Sequence, residues 1–353
     1  MVDYLIVGCG LAGISFAKEL LARNKSFVMI SDESQRSSEV AGALYNPVIL
    51  KRFTPVWKAA EQLDKMHSTF SFYEHLFNIS LIEEQPVLRK FASIEEQNMW
   101  FEAADKPNLS TYMSTALLKN TYDAINAPFK FGEVLHTGRV AIGDLIASFK
   151  AYYLNRGMFF SDSFKYDELK ALEEGYTYKD IHVGKVIFCE GFGLEQNPYF
   201  NYLPLRGTKG QLLVIKAPEL QVDKVIKSAG FMIPIGNDLY KIGATYEHTD
   251  KNNTPTPEGR AELLDKIKGL IECDFEIVDQ LAGVRPTVAD RRPLIGEHPA
   301  HKNMYILNGL GTRGVMIGPY VADKLIQNIE HQTALDTEID IKRFKKRWLK
   351  ANA

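Results

Sequence analysis

The sequence predicts an α/β protein in two parts: a Rossmann-like, dinucleotide-binding domain assembled from separate stretches of the chain, and a second domain built on a sheet of its own. Three observations lead there. A strand, glycine turn, helix and strand open the chain at residues 3–33, a second glycine-rich strand-to-helix turn lies at 304–329, and strand-rich segments fill much of 206–282. βα units at both ends, with strands inserted between them, imply a largely parallel sheet and a separate sheet domain laid over it.

The opening unit is the most specific element. Asp3-Tyr4-Leu5-Ile6-Val7 is a short apolar run, followed at once by Gly8-Cys9-Gly10-Leu11-Ala12-Gly13, a helical segment from Ile14 to Arg23, and a second apolar run, Phe27-Val28-Met29-Ile30. A GxGxxG is informative only in this setting, with a strand before it, a helix after it and an acid about 20 residues on. Gly8 serves the tight turn, Gly10 lets a pyrophosphate approach the backbone, and Gly13 lets helix and strand pack closely. Free N–H groups and the partial positive charge of the helix start suit the phosphates, with Leu11 and Ala12 beside them. One detail departs from the pattern. The ribose-binding acid is expected directly after the second strand, where Ser31 stands, and Asp32 comes one place later. Either Ser31 or Asp32 is expected to contact the adenosine ribose.

Composition narrows the class. The chain has 353 residues, 45% of them hydrophobic, enough for a large core and consistent with about two domains of ~150 residues. A net charge of −2 gives no global attraction for nucleic acid or anionic membranes. Cys9, Cys189 and Cys273 are odd in number and widely spaced, so neither a disulfide framework nor a metal site is expected, and a reducing compartment is favoured. The first strand begins at residue 3, leaving no room for a secretory leader, and no apolar run nears the ~20 residues that span a bilayer. The expectation is a cytoplasmic protein with no membrane partner.

Beyond Asp32 the elements follow in order. Ser37 and Ser38 suit either a helix cap or a phosphate. Residues 55–77 have helical spacing at Trp57, Leu63, Met66 and Phe70, and Ile79–Tyr122 suggests an irregular lobe. Gly143–Gly157 is an amphipathic helix, Met158-Phe159-Phe160 a buried strand, and Val186-Ile187-Phe188-Cys189 a core strand ending at Glu190-Gly191. Gly191 marks either close approach to the same ligand or an ordinary turn. Phe231–Pro234 and Leu239–Thr245 pair as a hairpin around Gly236-Asn237-Asp238, and Glu258–Ile271 is an amphipathic helix. Met304-Tyr305-Ile306-Leu307 is a strand entering Gly309-Leu310-Gly311-Thr312-Arg313-Gly314, and a helix is expected from about Pro319 to Ile329. The nucleotide domain is assigned to 1–75, 138–205 and 283–341, the second domain to 76–137 and 206–282, and 342–353 to a basic C-terminal tail.

Taken together, Gly8–Gly13, Ala41-Gly42-Ala43-Leu44-Tyr45-Asn46-Pro47, Leu205-Arg206-Gly207, Lys241-Ile242-Gly243-Ala244-Thr245, Gly283-Val284-Arg285-Pro286, Asp290–Gly296 and Gly309–Gly314 resemble the FAD-dependent D-amino-acid oxidase superfamily. Its members include glycine oxidase, monomeric sarcosine oxidase and the FAD domain of the bifunctional enzyme that matures carboxymethylaminomethyl-uridine in tRNA. The resemblance spans nearly the whole chain, and Gly42–Tyr45 and Gly309–Val315 look most like the tRNA enzyme. It implies a glutathione-reductase-type FAD fold, a mixed-sheet substrate domain and noncovalent FAD. Cys273 lies well before the region where a cysteine attaches flavin in covalent members. Gly8, Gly10, Leu11, Ala12, Gly13, Ser31, Asp32, Ser38, Ala41, Gly42, Gly191, Gly309, Gly311, Thr312, Arg313 and Gly314 are the expected cofactor contacts.

The implied reaction is oxidation of the C–N bond of an amino acid or secondary amine by hydride transfer to flavin, followed by hydrolysis. Arg285 matches the superfamily's carboxylate-binding arginine, a role that suits a guanidinium fork. Lys241 matches the lysine near flavin N5 that promotes reaction with oxygen in sarcosine oxidase, although Thr245 stands where that oxidase has a histidine. Arg313 reads either as a contact to substrate or flavin or as a salt bridge. Lys51 and Arg52 are either a counter-charge for reduced flavin or a surface pair. Phe231 replaces a tyrosine of glycine oxidase that helps hold the carboxylate, which disfavours glycine itself as substrate. The basic, aromatic segment Lys342-Arg343-Phe344-Lys345-Lys346-Arg347-Trp348 either grips RNA or complements a helix end. Two alternatives therefore stand beside amine oxidation: processing of carboxymethylaminomethyl-uridine in tRNA, and a flavin-binding redox protein with little turnover. None of the anchors fixes the substrate.

Overall fold

The opening strand, Val2–Val7, is buried along its apolar length because it lies in the middle of a sheet with both faces covered. The computed structural model describes residues 1–352. Parallel strands run in the order Phe159–Phe160, Phe27–Ile30, Val2–Val7, Ile181–Phe188, Met304–Asn308, and Leu294–Glu297 closes the edge antiparallel. A hairpin, Leu169–Ala171 with Tyr176–Tyr178, pairs with the start of Ile181–Phe188. Side chains alternate between the faces. Tyr4, Ile6 and Met29 pack under the helices Leu11–Leu21, Ala59–Phe77, Ile142–Leu154 and Gly314–His331. Leu5, Val7, Val28 and Ile30 pack under the hairpin, the segment around Phe200 and the C-terminal turn. Strand order reverses beside Val2–Val7, so the crevice outside the carboxyl ends of Val2–Val7 and Ile181–Phe188 is the expected ligand position.

The second sheet is mixed, in the order Glu276–Val288, Leu205–Lys216, Leu239–Gly243, Phe231–Pro234, Val225–Lys227, Val87–Lys90, Phe131–Val134. All neighbours are antiparallel except Val225–Lys227 beside Val87–Lys90. One face carries Leu213, Ile215, Ile226, Met232, Tyr240 and Ile242 and is covered by the helix Pro257–Ile267. The other face looks at the first domain. A side chain at Gly42 would collide with Ile233 and Phe231, and one at Gly283 would come within 3.2 Å of Ser37.

The elements differ from expectation in instructive places. The last long helix starts at Gly314, not Pro319. Proline suits the first helical position but is tolerated inside, here at the loss of one ladder bond. The first helix starts at Leu11, within the glycine motif, and not at Ile14. The helix expected from 55 begins at Ala59, because Lys58 turns into the left-handed region (φ 50°). Thr256 caps the helix Pro257–Ile267, accepting from the Gly259 N–H, and the helix ends four residues before Ile271 because Lys268 (ψ 125°) leaves helical geometry. Position 283, expected as a domain boundary, falls inside the strand Glu276–Val288. The basic segment after 341 is docked: Phe344 and Trp348 pack against the first domain, and Arg343 reaches Asp290 at 2.9 Å and the Pro293 carbonyl.

Candidate active site

Two glycine turns meet at the crevice. Gly8 has φ +107°, and a Cβ there would lie 2.5 Å from the Cys189 carbonyl oxygen, so only glycine lets the opening turn lie against the neighbouring strand end. A Cβ at Gly13 would lie 2.0 Å from the Gly8 carbonyl oxygen. The helix therefore sits on the turn, and its N–H groups at Ala12 and Gly13 fall outside the helical ladder. The Leu11 N–H donates to Ser38 Oγ at 3.2 Å, so Ser38 serves the start of this helix from the segment Ser37–Val40. Ala41 ends that short helix, and Gly42 lies flat against Phe231 of the second sheet.

Gly309-Leu310-Gly311-Thr312-Arg313-Gly314 forms the second turn. A side chain at Gly314 would lie 3.0 Å from Leu11 Cδ1, which brings the starts of the two helices side by side. Gly191 (φ +56°) and Gly311 (φ +60°) both face open space where a Cβ would stand. Asn308, buried and not singled out from sequence, ties these turns together. Its amide donates to the Gly191 carbonyl at 2.9 Å, and its side-chain oxygen accepts from the Gly309 N–H at 2.7 Å. The Gly311 N–H donates to the Pro286 carbonyl, which fixes the turn to the second sheet. Thr312 is exposed at the tip.

At the end of Phe27–Ile30, Ser31 Oγ donates to the Asp32 carbonyl. The Asp32 carboxylate accepts from Ser34 Oγ and Ser163 Oγ, both at 2.6 Å. Burial raises its pKa, but these bonds outweigh burial and hold it below the usual value. Its neighbour across the crevice is Glu190, also missed from sequence, which accepts from Asn197 at 2.7 Å and from Tyr166. Burial pushes the Glu190 carboxyl up to about 7, the Asn197 and Tyr166 bonds oppose this, and the Asp32 charge adds to it. A carboxyl whose pKa is higher folded than unfolded makes stability fall as pH rises from about 4.5 through about 7. Glu190→Gln removes that term. The variant should lose less melting temperature than the parent between pH 5 and pH 8, and an equal loss would show that Glu190 does not titrate in this window.

The second sheet presents its cations from the face opposite the turns. Arg285 lies over Gly210, where any Cβ would come within 1.9 Å of the guanidinium. It donates to the Thr245 carbonyl at 3.2 Å and stacks on the Tyr246 ring at 4.7 Å. Burial pulls its pKa down, and Tyr246 opposes this. Arg313 is likewise lowered by burial, with Tyr246 opposing and Arg291 adding. Lys241, on the same face, is lowered by burial and by the charge of Arg139. Among the described residues no carboxylate lies within ion-pair distance of Arg285, Arg313 or Lys241, although Arg89, Lys209 and Arg343 all have one. The structure thus brings Arg285, Arg313 and Lys241 to the space between the domains, while Lys51 and Arg52 lie exposed. Cys273 packs against the far face of the second sheet. Thr245 is buried and accepts from the Gln211 N–H. No helix among the described residues is long and apolar enough to cross a membrane.

Comparison with known proteins agrees with this architecture. Residues 3–327 match the family model described as FAD dependent oxidoreductase. The chain is 26% identical over 181 residues to the tRNA 5-methylaminomethyl-2-thiouridine biosynthesis bifunctional protein of Shewanella halifaxensis, a match covering 41% of this chain and 28% of that one. It is 27% identical over 125 residues to the glycine oxidase of Pseudomonas putida, a third of each chain. The chain thus spans about a third or less of the length of these relatives in the matched region. Among solved structures, glycine oxidase from Bacillus cereus superposes with a TM-score of 0.76 at 18% identity, covering 95% of this chain and 96% of that one. Iminodiacetate oxidase from Chelativorans sp. gives 0.77 at 18% identity, covering 97% and 98%. At this identity these structures show the fold.

Proposed function

The chain belongs to the FAD dependent oxidoreductase family, and from that premise we propose that it oxidises the C–N bond of an amino acid or secondary amine bearing a carboxylate. The cofactor is FAD. The residues present suit it: two helix starts side by side for the pyrophosphate, open space at Gly191 and Gly311, and Gly42 flat beneath the second sheet. Gly8, Gly10, Leu11, Ala12, Gly13 and Ser38 would hold the phosphates. Ser31 or Asp32 would meet the ribose, and Gly309–Gly314 would close over the flavin end.

One observation carries the substrate reading: Arg285 is a half-buried guanidinium with no carboxylate partner, on the sheet face that looks at the cofactor turns. An uncompensated charge in such a place is costly, and an incoming carboxylate would supply the missing partner in a bidentate pair. When bound, FAD supplies the two-electron acceptor. The substrate C–H bond next to nitrogen then breaks with loss of hydride, the nitrogen gives up its proton, and water adds to the resulting C=N bond to release a carbonyl compound and an amine. Arg285 fixes the carbon to be oxidised. Lys241 places positive charge beside the site, where it would favour electron-rich states formed there.

Anaerobic addition of D-amino acids, N-methyl amino acids and proline to the holoenzyme should bleach the flavin band with at least one of them. A second reading rests on the tRNA-modifying relatives: the substrate is the carboxymethylaminomethyl group of a tRNA uridine. If only modified tRNA bleaches the flavin, this second reading replaces the first. If nothing does, a binding protein with little turnover remains. With Arg343 turned inward to Asp290, RNA contact would fall to the exposed Lys342, Lys345, Lys346, Arg347 and Lys350.

A further inference from the structure

The strand pairing puts one more cation on the substrate face. Lys227 stands opposite Phe231, Phe231 opposite Gly243, and Gly243 opposite Leu212, so this row points to one side of the sheet. That side is the one facing the cofactor turns, since the Phe231 ring fills the space above Gly42. Lys227 Nζ lies over the Phe231 ring, 5.0 Å from its centre. Two of the cations around it are engaged: Arg89 with Glu96 at 2.5 Å, and Lys266 with Glu262 and the Ala244 carbonyl. Lys227 has neither a carboxylate nor a hydrogen-bond acceptor among the described residues, and like Arg313 it is half-buried. Burial, with the charges of Arg89, Lys266 and Arg313 adding to it, lowers its pKa to about 8, which places Arg313 within electrostatic reach. Arg285 marks one place in the substrate space, at Tyr246, Lys227 marks another, at Phe231, and Arg313 lies within electrostatic reach of both Tyr246 and Lys227.

The geometry points to a second anion subsite at Lys227, with the Phe231 ring as its floor, so that the preferred substrate is a secondary amine carrying two carboxylates: one on Arg285, the other on the second nitrogen substituent and held by Lys227. This rests on the amine-oxidation reading above and sharpens it. It gives the hydroxyl-free Phe231 a role, because the ring lines the path of the second arm where a monocarboxylate would leave Lys227 without a partner.

The test uses two ligands in which sulfur replaces nitrogen, thiodiacetate and methylthioacetate, titrated into the oxidised holoenzyme and read from the flavin absorption spectrum. Holoenzyme should bind the diacid at least about tenfold more tightly than the monoacid, the worth of one charge-assisted hydrogen bond. Lys227→Met should bring that ratio to about one, and Lys227→Arg should restore most of it. Equal affinities in the parent enzyme, or a ratio unchanged in Lys227→Met, would overturn the subsite while leaving carboxylate binding at Arg285 intact. If neither acid perturbs the flavin, the subsite falls, while anaerobic bleaching by amine substrates decides the amine-oxidation reading separately.

Discussion

Arg285→Leu should raise KM for carboxylated substrates by roughly 100-fold, since a charged hydrogen bond contributes about 1.5–3 kcal/mol and a guanidinium fork makes two. The turnover number should change much less, because the arginine binds the carboxylate equally before and during C–H cleavage. The flavin spectrum and FAD content should be those of the parent, as the side chain rests on Gly210 and Tyr246 and not on a glycine turn. Arg285→Lys should recover only part of the loss, since a point charge cannot make the paired contact. Steady-state kinetics with any substrate that bleaches the flavin decides the matter. An unchanged KM removes Arg285 from substrate binding and shifts attention to Arg313.

Gly13→Ala should yield protein largely without FAD. The added methyl would stand 2.0 Å from the Gly8 carbonyl oxygen and close to Ile6. The helix must then lift from the turn, moving the N–H groups of Ala12 and Gly13 away from the pyrophosphate. Overpacking of this kind costs about 1–3 kcal/mol in stability, and misplacing the phosphate donors adds a loss in cofactor affinity. The ratio of flavin to protein absorbance after purification and the melting temperature at saturating FAD separate the two effects. Retention of full FAD content would mean that the helix start is not the phosphate site. Gly311→Ala is a useful contrast, because open space surrounds that position and only its φ of +60° resists a side chain.

The parts legible from sequence are those where one residue type is physically required. Gly8 and Gly13 had to be glycine for reasons of space, and the strand, turn and helix around them announced why. One strand pair of the second sheet was visible in the hairpin at Gly236-Asn237-Asp238, where all three residues adopt positive φ. Pro319 misled, because a proline is good evidence for a helix start but not proof of one; the real start at Gly314 puts the helix end at the turn where it matters. Asn308 and Glu190 were not legible, since their roles come from strand ends that are neighbours only in the folded sheet. Asp32 was legible from its place after the second strand, but its hydroxyl partner Ser163, distant in sequence, was not. Lys227 was hidden for a different reason. Its face is set by pairing with Phe231 and, through it, Gly243, and the strand Val225–Lys227 is too short to show a period of its own. The boundary set at 283 cuts Glu276–Val288, which pairs with Leu205–Lys216 of the second sheet as far as Val288, a long-range pairing that the sequence pattern alone does not reveal.

The side-by-side packing of the two glycine turns, where Gly314 meets Leu11, also bears on how the protein matures. One turn precedes the other by about 300 residues, so the cofactor cleft is closed by contacts of very high sequence separation. Such contacts form late and slow folding, because their loop-closure entropy is lost before any interaction rewards it. A chain still emerging from the ribosome holds the first turn without the second. FAD would therefore act on the nearly finished fold, drawing it toward the closed state by mass action, about 2.7 kcal/mol when free cofactor stands at ~100 times its dissociation constant. The supply of FAD during synthesis, as much as the sequence, would then govern how much of this protein a cell retains.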